Sequence, residues 1–439
     1  MANQTTSIQA VETILNATVT EFAQSSAMVH QSNNDITIYG DAQIGATAKI
    51  NNPMVGYALD SWISDGDNNN GAIQQTVRDF SVDQQVGANT AITGLQKAIE
   101  IAQNPTLLKK QVAQNARVMA ERIEQRCGEI ATENTFMAYY NGDLPAAGNP
   151  GKLSEISTLS SVRHAYDNMS ERGLQGNVDV FLDHRSTRRI VSSQLAQFTP
   201  TMNDNSVQQW VAGLGVEGMD FFKSNLLHKH QAGTIGDANI ELTLTNVSAD
   251  GKTLTFDAGA ANNNKTVAQN DIIEFVIQNI DGVENLHPLT MGGTNAELAS
   301  QKVQARVTAD SAVNAAGSIV VQVVANHDKG LFPRDAANGT ENGFANINRA
   351  FRTGANPDKA RIIPTHIVGV MSLKDSLYLA MADLPSLAPF ESSTQTIDGV
   401  SLRMGNVTNG DTRACNYYID GLYGIYWQPE STMRICLPA

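Results

Sequence analysis

One helical pattern of roughly 30 residues constrains the fold of this chain more than any other feature. Asn104 and Pro105 supply an N-cap and a proline at the first helical position, a favoured way to begin a helix. At the helical rise, such a segment is about 45 Å long, more than twice the usual helix. The pattern predicts a long structural spine. Its apolar positions advance in steps of three and four up to about residue 134: Leu108, Val112, Ala116, Met119, Ile123, Cys127 and Ile130.

A β-hairpin arm is predicted before the spine. Residues 35–39 and 73–82 alternate with the period of a strand, although Val77 and Phe80 break strict alternation in the second stretch. Between the two stretches lies a turn-rich tip at 61–71. Because a long hairpin is only marginally stable alone in water, we expect this arm to lie on another surface.

The first residues predict an amphipathic helix that Thr6 or Ser7 would cap. A terminal helix with one apolar face must dock on the chain's own body or on a neighbour. Its apolar positions are Ile8, Val11, Ile14, Leu15, Val19 and Phe22.

The remaining segments predict a mixed core that carries a β-rich insertion. Helical patterns over 153–172 and through Ile190 to Leu195 flank an apolar strand at Val178–Leu182. Turns rich in Gly, Asn and Asp then separate short β-like runs, which is typical of a small sandwich or barrel set into a larger domain. These runs are 240–244, 253–256, 272–277, 303–307 and 319–324. Residues 329–356 would form the linker back, and 362–439 would return to helix and strand.

Charge is scarce in this chain, whose 439 residues suffice for two or three domains. Lys and Arg total 30 against 44 Asp and Glu, a net charge of −14, and only 17% of residues are charged while 41% are hydrophobic. This balance argues against an autonomous nucleic-acid binder, which needs a basic face, and against a highly disordered chain. It favours a surface that becomes buried against other subunits, because desolvating unpaired ions is costly.

The first residues show no secretory signal, and no apolar run approaches the length of a membrane span. We therefore expect a soluble chain made in a cytoplasm. The three cysteines, Cys127, Cys415 and Cys436, are odd in number and widely spaced. They match no zinc pattern, so buried thiols in a reducing compartment are the simpler interpretation.

The stretch 213–218 matches the dinucleotide-binding fingerprint Gly-x-Gly-x-x-Gly letter for letter. That fingerprint works only between a strand and a helix, where the glycines bring backbone amides up to a pyrophosphate. Here the strand-like residues 219–223 follow instead of a helix. A glycine-rich turn is therefore predicted.

Part of a calcium loop is also present. Asp65, Asp67 and Asn69 occupy its first three ligand spacings. However, Asn70 stands where a glycine is required, and Thr76 stands where the bidentate glutamate should be. A solvated turn is the better prediction.

Two further pairs of residues invite a chemical interpretation. His228 and His230 could contact a metal, but no third ligand is in register, so both are predicted to be surface residues. Asp183 and His184 lie where a strand meets a helix, without a nucleophile motif, so Asp183 is predicted to cap that helix. The sequence therefore predicts no catalytic residue, no cofactor-binding residue and no metal ligand, and it does not predict an enzyme.

Six stretches, taken in their order along the chain, resemble the major capsid (coat) proteins of tailed bacteriophages, which share the Hong Kong 97-type fold. They are 177–183, 218–227, 270–275, 282–290, 373–385 and 421–424. The second is similar to the family's Gly-x-Asp-x-x-x-Ser-x-x-Leu segment, which leads into an insertion. More narrowly, the chain resembles the coat group of a short-tailed Salmonella phage, whose members carry a β-rich insertion domain. Asn270 stands where the family often has glycine, and asparagine tolerates a positive φ better than most residues.

The resemblance implies an α+β chain of the Hong Kong 97 type with an inserted small β-barrel or sandwich. The extended loop would lie on a neighbouring subunit, which would give the hairpin arm its support. The implied parts are an N-terminal arm (1–35), an extended β-hairpin loop (36–89), the spine helix and peripheral domain (90–152), the first part of an axial domain (153–232), the insertion domain (233–350) and an axial and peripheral return (351–439).

By the same resemblance, the chain would self-assemble into hexamers and pentamers of an icosahedral shell around double-stranded DNA, without sequence-specific binding. A scaffolding protein and a portal would be partners, and decoration proteins could bind the shell. Its place would be the virion, after assembly in the cytoplasm of the bacterial host. Some members lock the loop to a neighbour through a Lys–Asn bond. Here no lysine lies between Lys49 and Lys97, which predicts a non-covalent shell.

Three other functions remain open. An encapsulin-like nanocompartment shell shares the fold but encloses enzymes, and the β-rich insertion disfavours it. A nucleotide-dependent oxidoreductase would rest on residues 213–218 alone. A tail or fibre protein would be built from β-dominated repeats, and no internal repeat is found in this sequence.

Overall fold

The structure of the chain is a computed structural model. The described residues are 19, 22, 26–33, 37–39, 46–53, 75–93, 106–143, 152–171, 176–195, 218–224, 226–248, 251–276, 303–324, 357, 359–384, 391–397, 400–409 and 414–439.

Within these residues the chain forms five α-helices and 23 β-strands. The helices are α1 (Ala27–Gln31), α2 (Thr106–Asn134), α3 (Leu159–Glu171), α4 (His184–Leu195) and α5 (Thr234–Asp237). Strands up to the barrel are β1 (Thr37–Tyr39), β2 (Ala46–Pro53), β3 (Gln75–Val82), β4 (Gln84–Thr93), β5 (Ala138–Asp143), β6 (Lys152–Ser154), β7 (Val178–Leu182), β8 (Met219–Lys223) and β9 (Lys229–His230). Next come β10 (Leu242–Val247), β11 (Thr253–Asp257), β12 (Thr266–Val267), β13 (Ile272–Val276), β14 (Val303–Val307), β15 (Ser311–Ala312), β16 (Ser318–Val324) and β17 (Lys359–Ile362). The last are β18 (His366–Leu373), β19 (Leu377–Ala382), β20 (Glu391–Ile397), β21 (Val400–Asn409), β22 (Ala414–Trp427) and β23 (Thr432–Pro438).

Helix α2 confirms the predicted spine, since it runs unbroken for 29 residues. Its buried side recurs in steps of three and four, as the apolar pattern requires. The expected cap at Asn104 and Pro105 lies outside the described residues. The buried apolar residues of α2 are Ala116, Met119, Ala120, Ile123, Cys127, Ile130 and Ala131.

The chain divides into two compact units. The first comprises Met1–Ile123 and Leu377–Tyr426, and the second comprises Glu124–Ser376 and Trp427–Ala439.

Of the predicted N-terminal helix, the structure describes Val19 and Phe22, which are helical and fully buried; the rest lies outside the described residues.

The first unit contains two antiparallel sheets. In one, β22 pairs with β19, β21 and β4, and β20 pairs with β21. The other has the order β1-β2-β3, and β2 pairs with β3 from Ala46↔Val82 to Pro53↔Gln75. At Gly424 a Cβ would lie 2.4 Å from the carbonyl oxygen of Ser81, so only glycine allows β22 to approach β3 this closely.

The hairpin differs from the one predicted. We expected residues 35–39 to flank the tip opposite 73–82, but β3 pairs with β2, and β1 lies on the far side of β2. Strand β2 was missed because its buried positions, Ala46, Ala48 and Ile50, are mostly alanine and give a weak alternation. The predicted tip at 61–71 lies outside the described residues.

The second unit is built on a seven-stranded sheet in the order β6-β5-β23-β18-β7-β8, with β9 also paired to β18. All five residues of β7 are buried, as expected for a central strand covered on both faces. Helices α3 and α4 pack on the sheet through Val162, Ala165, Met169 and Ile190, which share one apolar cluster with Val180.

The insertion is a closed six-stranded barrel in the order β10-β11-β16-β14-β13-β17, which decides between the two predicted architectures. Strand β16 shows the alternation typical of a barrel strand. Ile319, Val321 and Val323 face the barrel core, while Val320 and Gln322 are exposed. The sixth strand, β17, comes from residues that the sequence analysis placed after the insertion boundary at 350.

Two predicted helical segments are strands or extended chain. The helix expected over 153–172 begins at Leu159, because Lys152–Ser154 pairs with β5 as strand β6. From residue 362 onward we expected both helix and strand, but the described part holds strands and a single 3₁₀ turn at Pro429–Ser431. All six residues of β19 are buried, and a short apolar run of this kind does not distinguish helix from strand by its periodicity.

Candidate functional site: the joint between barrel and core sheet

The barrel is fastened to the core sheet of the second unit by a group of polar side chains, most of them buried, which we call the joint. The joint comprises Gln304 and Glu274 from the barrel, Tyr140 and Arg434 from the sheet, the turn Asn270 with Asp271, and His230 with His366. Each of these elements is placed by an apolar pattern, but the polar side chains determine how they meet.

Gln304 completes the edge of strand β5. Its Oε1 accepts a hydrogen bond from the backbone amide of Ala138 at 2.8 Å, and its Nε2 donates to the backbone carbonyl of Ala138 at 2.9 Å. The side chain of Gln304 therefore pairs with the backbone of Ala138 as the backbone of a neighbouring strand would. Because Gln304 is 6% exposed, both hydrogen bonds are shielded from water.

Glu274 extends this contact. Its Oε2 accepts a hydrogen bond from Gln304 Nε2 at 3.1 Å, and its Oε1 accepts one from the hydroxyl of Tyr140 at 2.8 Å. Burial, followed by the nearby Glu274 carboxylate, raises the pKa of Tyr140 well above its usual range. The phenol therefore keeps its proton and remains a donor.

Arg434, in β23, is fully buried and links three segments. Its Nη1 donates to the carbonyl of Asn270 at 3.1 Å, its Nη2 to the carbonyl of Thr132 at 2.6 Å, and its Nε to the hydroxyl of Thr135 at 3.1 Å. Burial lowers the pKa of Arg434 to about 10, which leaves the group charged near neutral pH. The guanidinium thus donates hydrogen bonds both to the C-terminal end of α2 and to the turn before barrel strand β13.

The turn before β13 presents a carboxylate. Asn270 has a φ of +68°, which confirms that asparagine accepts the turn conformation expected there. Asp271 is fully buried, and its Oδ2 accepts hydrogen bonds from the amides of Gly233 at 3.1 Å and Ala268 at 2.8 Å. Its Oδ1 lies 2.8 Å from Nε2 of His230. Asp271 therefore ties two loops and one histidine together.

Two histidine rings meet beside this carboxylate. The centroids of His230 and His366 are 5.4 Å apart. His366 Nδ1 lies 2.7 Å from the carbonyl of Pro364, so it must carry the proton. Burial, then the charge of Arg434, lowers the pKa of His366 well below 6.5. His366 is therefore neutral, and its buried Nε2 has no hydrogen-bond partner among the described residues.

An apolar cluster surrounds the polar contacts. It joins residues of the barrel strands with residues of the sheet: Ala138, Tyr140, Leu153, Ile272, Ile363 and Cys436. Burial raises the pKa of Cys436 to about 12, so this thiol stays protonated. The joint therefore holds the barrel and the sheet together by both polar and apolar contacts.

The structure describes two of the sites considered from the sequence, the cap at Asp183 and the end of the glycine motif at Gly218. Asp183 does cap α4, because its carboxylate accepts hydrogen bonds from the amides of Arg185 at 3.2 Å and Ser186 at 3.1 Å. Gly218, with a φ of +80°, is a turn residue that leads directly into strand β8, so no helix follows the glycine motif. The rest of that motif and the calcium-like loop at Asp65, Asp67 and Asn69 lie outside the described residues.

The prediction for the histidine pair was partly wrong. His230 is 5% exposed rather than on the surface, because β9 pairs with β18 and turns the ring towards Asp271. His228 is half-buried, and burial lowers the pKa of its imidazole. No group of three or more His, Cys, Asp or Glu that could hold a metal occurs in the part of the chain that the structure describes.

Sequence reasoning did not find Gln304, Arg434 or His366. Gln304 lies 166 positions from its partner Ala138, and Arg434 lies 302 positions from Thr132. No local pattern marks such pairs. A hint was available only for Arg434, a charged residue within the apolar run 433–437.

No protein-family model matches the chain, and no curated protein matches it. Solved structures from several phages are similar to it. A structure from Mycobacterium phage Che8 is 8% identical with a TM-score of 0.39, covering 93% of this chain and 90% of that one. The capsid of cyanophage P-SCSP1u is 12% identical with a TM-score of 0.38, covering 91% and 88%. The capsid of Ralstonia phage GP4 is 6% identical with a TM-score of 0.39, covering 92% and 86%.

The narrower placement in the Salmonella phage coat group stays a prediction. Because the identities and TM-scores are low, the proposals below rest on the chain's own residues. Among the helices of the described segments, none is long and apolar enough to cross a membrane.

Proposed function

We propose that this chain is a major capsid protein that self-assembles into an icosahedral shell around double-stranded DNA. The observation that carries the proposal is the order of its parts. A β-hairpin (β2–β3), a 29-residue helix, a mixed sheet and an inserted barrel follow one another along the chain. The capsid resemblance implies the same parts in the same order.

The hairpin supports a role in contacts between subunits. At its base, Ala46, Ala48, Ile50, Phe80 and Val82 pack in one apolar cluster. The pairing continues beyond this base to Pro53↔Gln75. The base is therefore anchored within its own unit, while residues 54–74 connect the strands. In the proposed shell, this connection lies on a neighbouring copy.

The joint supports a preshaped subunit. A shell closes only if each copy presents its surfaces at a fixed angle, since many weak contacts must form together. Arg434, Gln304 and Asp271 hold the barrel to the sheet by hydrogen bonds that are buried or half-buried, so this part of the subunit needs no partner to set its geometry. The low content of charged residues suits surfaces that neighbours cover.

The finer parts of the proposal follow from the resemblance alone. Hexamers and pentamers would form the shell, with a scaffolding protein and a portal as assembly partners and decoration proteins as further candidates. The chain would act as a structural protein of the virion rather than as an enzyme, and it would assemble in the cytoplasm of the host. The narrower likeness to the Salmonella phage coat group belongs here too.

Negative-stain electron microscopy of the purified chain tests the proposal. We expect closed shells, whereas a monodisperse small oligomer would contradict it. A variant in which a short Gly-Ser turn replaces residues 61–71 should give folded subunits, with an unchanged circular dichroism spectrum, that no longer close. Shells filled with DNA support the phage function, and shells filled with enzyme cargo would support the encapsulin-like alternative. Saturable NAD binding by calorimetry would instead favour the oxidoreductase.

A further inference from the structure

A cavity of about 550 Å³ lies beside helix α4 in the second unit. Four side chains that carry or can carry positive charge line it: His184, Arg185, Arg188 and Arg189. These residues share one side of the helix, because 184 and 188, like 185 and 189, are four positions apart. Like charges at this spacing destabilise a helix unless an anion offsets them. The concentration is unusual for a chain with a net charge of −14.

One carboxylate offsets part of this charge. Glu155 Oε1 lies 2.8 Å from Nη2 of Arg185, and its Oε2 contacts Nη1 of Arg189. Arg188 and His184 are exposed, and neither makes an ion pair with any residue that the structure describes. The cavity therefore retains the charge of Arg188 and the exposed imidazole of His184, neither of which is paired with a residue that the structure describes.

The carboxylate that lines the cavity, Asp183, is already engaged. Asp183 uses both oxygens to cap the first amides of α4, so those amides are not free to bind a ligand. Ser224 contributes a hydroxyl whose oxygen accepts from the amide of Leu226 at 3.1 Å, and its proton is not donated to any residue that the structure describes. Leu227 and Ile367 form an apolar wall. Side chains, rather than the helix end, would hold a ligand here.

We propose that this cavity binds a phosphate group, either in the backbone of DNA or as free inorganic phosphate. Arginine is the side chain that binds phosphate through parallel N–H donors, and a serine hydroxyl adds a further donor. Arg188 and His184 would contact the phosphate oxygens, with Ser224 beside them. Arg185 and Arg189 would also bind the phosphate once it displaces the carboxylate of Glu155 from their guanidinium groups. The site stands whether or not the chain forms a shell.

The test measures binding of a short fluorescent DNA duplex to the full chain by polarisation. Replacing Arg188 (Arg188→Gln) should weaken binding about 5- to 10-fold at low salt, and it should reduce the slope of log affinity against log salt by about 0.9. Glu155→Gln should strengthen binding, because it releases Arg185 and Arg189. Arg117→Gln, which removes an exposed arginine charge on helix α2, is the matched control and should leave the affinity and slope unchanged.

Calorimetry with inorganic phosphate separates the two sources. If phosphate binds the unaltered chain but not the Arg188→Gln chain and displaces the duplex, the site takes free phosphate. If the duplex binds through Arg188 and phosphate does not compete, the site takes the DNA backbone.

Three results would overturn the proposal. The first is binding of neither probe. The second is equal weakening by Arg188→Gln and Arg117→Gln, which would mean that only the overall charge matters. The third is tighter, Arg188-dependent binding of a glutamate-rich peptide than of either phosphate probe. Circular dichroism of each variant confirms that the fold is retained, and the opposite effect of Glu155→Gln cannot arise from misfolding.

Discussion

Arg434 Nη1 donates a hydrogen bond to the backbone carbonyl of Asn270 across 3.1 Å, so the last strand of the core sheet holds the turn that begins barrel strand β13. The same guanidinium bonds Thr132 and Thr135 at the end of α2. A buried arginine costs desolvation energy, and here its hydrogen bonds offset that cost. The contact therefore determines where the barrel is fastened.

Replacing Arg434 should destabilise the second unit. Arg434→Met keeps the apolar volume but removes the donor of three oxygen acceptors, of which those of Thr132 and Thr135 are buried and that of Asn270 is half-buried. We therefore expect the free energy of unfolding to fall by about 3 kcal/mol. Urea denaturation followed by circular dichroism measures the change. Arg117→Met, at an exposed position of α2, should change it by less than about 0.5 kcal/mol. If the Arg434→Met chain is as stable as the unaltered chain, the guanidinium makes no net contribution to the free energy of unfolding.

Gln304 offers a second test of the joint. Gln304→Ala removes both hydrogen bonds to Ala138 and one to Glu274, and we expect a loss of about 2 kcal/mol in stability. Amide exchange at Ala138 should also become faster. Gln322→Ala, at an exposed position of barrel strand β16, is the matched control and should have little effect. Similar effects of the two variants would contradict the bonding described for Gln304.

The neutral His366 predicts that acid weakens the second unit. Because its pKa lies well below 6.5 when folded, the unfolded chain binds a proton near pH 6.5 that the folded chain does not. The free energy of unfolding should therefore fall as pH drops below about 6.5, with a slope of up to about 1.4 kcal/mol per pH unit. Three other ionisable groups act on the ring, Arg434, His230 and His228, and Asp271 contacts His230.

Comparison with His366→Gln isolates this effect. Asp179 acts in the opposite sense, since burial raises its pKa to about 6 and its folded form holds a proton between about pH 4 and 6. Its contribution is common to both chains and cancels. Urea titrations from pH 8 to pH 5 should give a flatter profile for His366→Gln, while the exposed His164→Gln should match the unaltered chain. An unchanged slope in His366→Gln would rule out the assignment.

The buried thiols should be unreactive in the folded chain. Cys127 and Cys436 are both buried, and burial raises the pKa of each thiol, that of Cys436 to about 12. Because the thiolate is the reactive form, neither should react with a disulfide reagent at pH 8. In a Cys415→Ser chain we expect no fast reaction in buffer and two reactive thiols in denaturant. A fast thiol in native buffer would contradict this burial.

The absence of lysine between Lys49 and Lys97 predicts that assembled subunits are not cross-linked through the hairpin. Shells boiled in detergent should run as a single band of monomer on a denaturing gel. Ladders of dimers and larger multimers would overturn the prediction. A Lys49→Arg chain would then show whether that lysine supplies the bond.

Local elements were predictable where their cause lies within a few residues of the chain. The period of α2, the apolar run of β7, the barrel strands and the cap by Asp183 all depend on near neighbours, and the structure contains each of them. Asn270 belongs here as well, because its turn conformation depends on its own backbone preference. Sequence patterns also placed these parts in the order on which the proposed function rests.

Tertiary contacts alone decided the rest. The partner of β3, the start of α3 and the strands after residue 362 depend on what covers each segment, and weakly alternating or continuous apolar runs do not specify this. The joint is the clearest case, because Gln304 and Arg434 bond residues 166 and 302 positions away. The sequence by itself therefore determined the elements and their order. How the barrel is fastened to the sheet was decided by buried polar contacts, whose energy depends on desolvation and geometry that exist only in the folded chain.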